Sequence, residues 1–311
     1  MNRKLMIIFI ATSTQLVIAM DLQRNYEYQN GESITLESPI PQELSNKFGQ
    51  GWWKADLTKK TGEKISLYPL RKTKTGPGII WNKPIPNMTS QDGAYTILDV
   101  VYFDSLFKDP KSGIPTLTDR NYCFFIELKT GCIVTIETGA ACAGKWINNN
   151  IWSGLDYAID ISKARRPKIE SLLANFHDKN KKSNTTQQMG IYFNMKNQLT
   201  CDKITLKNIG KYSSLLKHLE NTPHEKQILA SELANFKKIL PQNHYSISTN
   251  KSYLFDLPNE ISISSNYLIK GDKIQIIDNS QLENGWCKIR YTTKSGKVIE
   301  KWIKSSDINL P

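Results

Sequence analysis

Cysteine pairs at Cys-x-x-Cys spacing and His-x-His groupings are both missing from this chain of 311 residues. No zinc site can be assembled from neighbouring positions, and neither a metal nor another cofactor is expected. Histidine is scarce. Of only four, His177, His218 and His224 fall in helix-like stretches and His244 in a polar connector, where each reads as a solvated side chain rather than a general base. Ser153 lacks the glycine two positions upstream that a nucleophile elbow needs. Carboxylate pairs for a glycosidase are few: Asp99 and Asp104 lie five apart on one strand-like run and face opposite sides, which leaves open only Glu127 and Glu137, flanking a hairpin and unremarkable on an antiparallel surface. No apolar run after Ala19 is long enough to span a bilayer, which excludes a membrane helix downstream.

What the N-terminus does hold is a basic pair, Arg3 and Lys4, then an apolar-leaning run from Leu5 to Ala19 that closes on Val17-Ile18-Ala19. That order of features reads as a secretory signal peptide over residues 1–19, and the run is shorter than the ~20 apolar residues of a spanning helix. No cysteine follows it to carry a lipid. The mature chain is expected to begin near Met20 and to work in the periplasm or outside the cell, where nucleic acid is not an available partner. Formal charge is +12 before processing and loses the two contributions of Arg3 and Lys4. A field of this sign raises encounter rates with lipid headgroups or cell-wall polymers more than it creates specificity, so weak contact with an anionic surface is as much as it implies.

Five cysteines in an exported chain point to disulfides. Cys123, Cys132, Cys142 and Cys201 cluster and allow three connectivities, among which the sequence does not choose; a Cys142–Cys201 bridge would draw the segment around Cys201 into the earlier sheet. Cys287 stands apart, on the same face of a strand as Ile289 and Tyr291, and reads as a buried free thiol.

Strand signals dominate up to Trp152. Lys64 to Leu70 alternates with period two, Ala94 to Phe103 reads as a long central strand, and Tyr122–Leu128 with Cys132–Glu137 forms a hairpin whose turn contains Gly131. Turn-rich loops fall at Lys72–Pro86 and at residues 110–115. Helical spacing of Ile169, Leu172, Leu173 and Phe176 follows Pro167, placed at the first helical position, and a charged loop spans Lys179–Gln188. A second hairpin is read from Gly190–Met195 and Leu199–Leu206. Thr222-Pro223-His224-Glu225 has the form of a capping box opening a helix that stops at Pro241. The chain therefore divides into a signal (1–19), a disulfide-stapled α+β domain (20–245) with an antiparallel sheet and two or three helices, and an all-β tail (246–311), with the border in the polar stretch 241–251.

The tail carries an ordered series: Lys270-Gly271-Asp272-Lys273 leading into an apolar strand, Gly285-Trp286 opening the next with Lys288, Arg290 and Tyr291 after it, Ser295-Gly296-Lys297 at a turn, and Lys301-Trp302-Ile303-Lys304 with Asp307 near the end. Over roughly a fifth of the chain this resembles the bacterial SH3-like domain of exported envelope proteins, with Lys301 departing from the Gly commonly found before the Trp. The resemblance implies a small closed barrel that binds peptides, including cell-wall stem peptides, or packs beside a catalytic or receptor domain. By alternation the ring-bearing candidates for ligand contact are Tyr253, Phe255, Tyr267, Trp286 and Trp302. The expected function is that of an exported, non-enzymatic envelope protein that binds a protein or cell-wall peptide, one version being a periplasmic immunity or inhibitor protein. The alternatives are a peptidoglycan hydrolase with a targeting tail, whose nucleophile and base no motif supplies, and an adaptor in a larger envelope machine.

Overall fold

Branched and aromatic residues in alternation build most of this chain as strand. The computed structural model describes residues 23–68, 78–108, 115–155, 157–164, 166–177, 194–220, 222–240 and 244–309. The signal segment, the core of the Lys72–Pro86 loop, the 110–114 loop, Lys179–Gln188 and Gly190 lie outside them. Eight strands form the first sheet: β1 (Gln23–Glu27), β2 (Ser33–Pro39), β3 (Trp52–Thr58), β4 (Lys64–Leu67), β5 (Gly78–Trp81), β6 (Tyr95–Lys108), β7 (Pro115–Glu127) and β8 (Cys132–Thr138). Their order is β1-β2-β3-β5-β6-β7-β8, antiparallel throughout, with β4 beside β3. The long run from Ala94 thus sits between two neighbours, as its composition requires, and the β7–β8 hairpin turns at Gly131 with φ +76°, a conformation glycine adopts without a Cβ clash.

Successive residues of β7 feed two different cores. Phe124 and Ile126 join Ile34, Leu36, Trp52, Leu57, Trp81 and Val100 in a cluster made by the sheet's own strands and Tyr68, so the sheet curves around itself as a half-barrel. Cys123 and Phe125 face the other way. There a small sheet of β9 (Lys145–Trp146), β10 (Ile151–Ser153) and β11 (Ala158–Asp160) covers them with the fully buried Trp152, whose Nε1–H donates to the Ala141 carbonyl at 2.7 Å. Gly144 is needed for this closure, since a Cβ there would stand 2.2 Å from the Ser153 carbonyl oxygen. The two disulfides are Cys123–Cys142 and Cys132–Cys201, which settles the pairing and leaves Cys287 as a buried free thiol.

Five α-helices occur among the described residues: α1 (Gln42–Phe48), α2 (Ile169–His177), α3 (Met195–Cys201), α4 (Ile209–His218) and α5 (Pro223–Ile239). A third sheet follows, of β12 (His244–Ile247), β13 (Lys251–Phe255), β14 (Ile263–Ile269), β15 (Lys273–Asp278), β16 (Trp286–Thr292), β17 (Val298–Lys304) and β18 (Ile308–Asn309), in the order β14-β13-β17-β16-β15-β12-β18.

A clear α+β domain ahead of the tail is not what forms. The molecule is mostly β, with three sheets and short helices, and α1 buries no residue at all. Helices α2, α4 and α5 turn their apolar stripes onto the third sheet: Ile169, Tyr212, Leu215, Leu229 and Leu233 share one buried cluster with Tyr245, Leu254, Ile274, Ile289 and Ile303. The cause is where uncovered apolar surface remains. The first sheet fills its concave side with its own residues and its other side with β9–β11, whereas the third sheet is an open path of seven strands, with no bond between β14 and β18 among the described residues, and one apolar face to cover. This sheet also takes in β12, which lies ahead of the run of strands expected from Ser252 onward.

The segment 195–201 is helix rather than the expected hairpin. Asn194 caps it, its Oδ1 accepting from Asn197 N–H at 3.0 Å, and the Glu225 carboxylate reaches over to accept from Met195 N–H at 2.6 Å. Glu225 is therefore spent on another helix and closes no capping box of its own, while the Thr222 hydroxyl turns to the Leu219 carbonyl. Pro167 likewise precedes its helix, whose first N–H, at Ile169, is taken by Asp202 Oδ2 at 2.8 Å.

Burial pushes the Glu225 carboxyl pKa up, against the Met195 hydrogen bond and the nearby His224. A raised native pKa means that the folded chain holds this proton more tightly than the unfolded one; the group's contribution to stability is present below the ordinary carboxylate range and lost as pH rises through the native value. Glu225→Gln, which keeps an oxygen for Met195, is expected to melt higher than the parent at neutral pH, with the difference gone at about pH 4. Thermal melts of the pair at both pH values check this; a Gln variant that melts lower at neutral pH contradicts it.

Candidate functional site

Strands β13 and β14 pair with Lys251 opposite Ile269, Ser252 opposite Leu268 and Tyr253 opposite Tyr267. Period-two alternation sends Ser252, Leu254 and Leu268 into the core and leaves Lys251, Tyr253, Tyr267 and Ile269 on the outer face. Tyr253 and Tyr267 are 42% and 51% exposed, directly across from one another. The Lys251 ammonium lies over both rings, 4.6 Å from the centroid of Tyr253 and 4.4 Å from that of Tyr267. A hydrogen bond to the Tyr253 hydroxyl pushes the Lys251 pKa up. Ile263 and Ile269 continue the row along β14, and Ile261 and Leu257 stand exposed in the connection to β13.

This face is unusual within the molecule. Of twelve large apolar side chains exposed among the described residues, six lie between Tyr253 and Ile269. Single exposed apolar residues are ordinary, but a contiguous group marks an interaction surface.

The other three ring-bearing candidates are placed differently. Phe255 and Trp286 are buried and meet edge to face, with centroids 4.8 Å apart. Trp302 is half-buried, across from Phe255 on one side and Lys288 on the other. The core beneath this sheet takes Leu254 and Cys287 but neither Phe255 nor Trp286, so the five rings divide into an exposed pair, a pair that cover one another, and the half-buried Trp302. Lys251, Ile263 and Ile269 belong to the outer face and were not singled out; the signal for the last two was the alternation around Leu268.

Groups weighed for chemistry are occupied elsewhere. Burial pushes the Glu127 carboxyl up, but hydrogen bonds from Arg166, at 2.6 and 3.0 Å, and from Thr130 outweigh it and hold the pKa below the ordinary value. Asp99 accepts from Asn82 Nδ2 at 2.9 Å, and Glu137 from the Thr135 hydroxyl at 3.0 Å. Burial pushes the Cys287 thiol up to about 12, so it carries no thiolate near neutrality. His218 stacks on Phe176, and His224 and His244 are exposed. No group of three or more His, Cys, Asp or Glu able to hold a metal occurs among the described residues.

One further depression, of about 440 Å³, lies between the β3–β4 hairpin and helices α3 and α5, floored by Ile65, Leu199 and Phe236. Three of its rim lysines are already paired: Lys59 with Glu63, Lys64 with Glu37 and Asp56, and Lys196 with Glu232. No helix among the described residues is long and apolar enough to cross a membrane. Set against family models, curated proteins and solved structures, the chain matches none.

Proposed function

We propose that this is an exported protein, working in the periplasm or beyond, that binds a protein or cell-wall peptide through the outer face of β13 and β14 and performs no chemistry of its own. Two disulfides suit an oxidising compartment. The observation that carries the reading is the gathering of Tyr253, Tyr267, Ile263 and Ile269 as exposed side chains along β13 and β14. Aromatic side chains there offer much contact area for few lost torsions, the usual make-up of an energetic centre in an interface.

The test uses the mature protein and a variant with Tyr253→Ser and Tyr267→Ser. Each is incubated with purified peptidoglycan and, separately, with a periplasmic extract. Retention on one of these by the parent and not by the variant is the expected result. Release of soluble wall fragments, or retention that the double substitution leaves intact, overturns the reading.

A further inference from the structure

The chemistry of the ligand is constrained by Lys251. Its ammonium stands over both tyrosine rings, so nothing can stack on Tyr253 and Tyr267 without covering that charge or prising it away. Covering an ammonium with apolar groups alone is strongly unfavourable unless an anionic acceptor replaces its water. Lys270 directly follows Ile269, the residue opposite Lys251, and puts a second cation at the same end of the face. Neither lysine makes an ion pair with a described residue. At the other end the acids are already neutralised, Asp256 by Lys301 and Glu260 by Lys304. Asp272, two residues after Lys270, spends its carboxylate on the Ile269 N–H at 2.9 Å, so the face runs from an end where two cations stand beside that carboxylate, through two tyrosines and two isoleucines, to an end whose charges cancel.

Resting on the binding function proposed above, we infer that the partner is an acidic protein, which lays an extended segment with apolar side chains along β14 and seats its carboxylates at Lys251 and Lys270. Length favours a protein over a short wall peptide: seven residues of β14 at ~3.3 Å each give a row of about 20 Å. A second copy of this chain is disfavoured, because each mature body keeps a strong positive charge, the +12 of the full chain less Arg3 and Lys4, and two of them repel.

The probes are labelled, end-blocked peptides: one alternating Leu and Glu, one with Gln in place of every Glu, and one with Lys in place of every Glu. Anisotropy titrations use the full mature protein at low salt and at about 0.15 M. The acidic peptide is expected to bind at least about tenfold more tightly than the Gln peptide, a difference of about 1.4 kcal/mol, and to weaken as salt rises. Lys251→Met should erase that preference without moving the melting temperature, and Lys251→Glu should shift it to the Lys peptide.

Equal binding of the acidic and Gln peptides overturns the inference. So does wall-fragment binding as tight as that of the acidic peptide, capture by phosphatidylglycerol vesicles that the tyrosine substitutions abolish, or concentration-dependent dimers in sedimentation lost on Tyr267→Ser. If the two peptides bind alike but Tyr253→Ser and Tyr267→Ser still abolish capture, the acidic preference fails and the binding face stands. If the tyrosine substitutions change nothing, both fall.

Discussion

Replacing Asn197 by leucine is expected to lower the melting temperature by roughly 5–15 °C. The Asn197 side chain lies in the buried seam between α3 and the edge of the first sheet, where its Oδ1 accepts from Ile133 N–H at 2.9 Å and its Nδ2 donates to the Ile133 carbonyl at 3.2 Å. A side-chain amide thus does for β8 what a ninth strand would do. Leucine fills the space but leaves a donor and an acceptor unpaired at about 1–3 kcal/mol each, and 1 kcal/mol moves the melting point of a chain this size by about 2–4 °C. The neighbouring Cys132–Cys201 bridge should enlarge the loss, because it holds α3 against β8 and keeps water from reaching Ile133. In a background carrying Cys132→Ser and Cys201→Ser the helix is free to lift, and the same Asn197→Leu change is expected to cost less. Thermal melts of the four proteins measure the coupling. A loss of under about 2 °C with the bridge intact, or equal losses in both backgrounds, rules the arrangement out.

Asn197 also shows where the sequence stops being readable. Leu199-Thr200-Cys201 has strand-like composition, and nothing within it announces a helix. Its cap, Asn194, is local, but the groups that hold the helix in place are Glu225 on α5 and Cys132 on β8, partners that no local window contains. Strands whose partners are adjacent in sequence were legible for the opposite reason: β7 and β8 join through a four-residue turn whose glycine takes the positive φ, and their alternation already says which residues face which core. Disulfide pairing belongs with the illegible part, since it follows from which strand α3 docks on. So does the allegiance of α2, α4 and α5, whose stripes say that a face must be buried and not against which sheet.

The same division runs through the binding face. Alternation places Tyr253 outward, and by that rule Phe255, two residues on, should join it. It does leave the core side, which takes Leu254 and not Phe255, but the Trp286 ring of β16 covers it, so both residues are buried, on opposite faces of the strand. A ring brought in by a distant strand leaves no mark in the local composition.

That cover makes the largest functional contrast in the molecule testable. Trp286→Ala removes a buried ring from the Phe255 contact and should destabilise by about 3–5 kcal/mol, on the order of 10 °C in melting temperature. Tyr267→Ala removes a ring that is half in solvent, packed by Lys251 and its cross-strand partner Tyr253, and should cost under about 1 kcal/mol. Binding should order the two variants the other way. At a temperature where both are folded, Trp286→Ala retains affinity, because the outer face is built on β13 and β14 and does not include the indole, whereas Tyr267→Ala loses it by tenfold or more, about 1.4 kcal/mol. Melts and titrations on the same preparations separate the roles. If Tyr267→Ala instead melts as low as Trp286→Ala, its ring belongs to the core and the outer face is not a docking surface. If folded Trp286→Ala loses affinity while Tyr267→Ala keeps it, the ligand contacts the indole, and the interaction surface lies across β16 and β17 on the Lys304 side of the sheet.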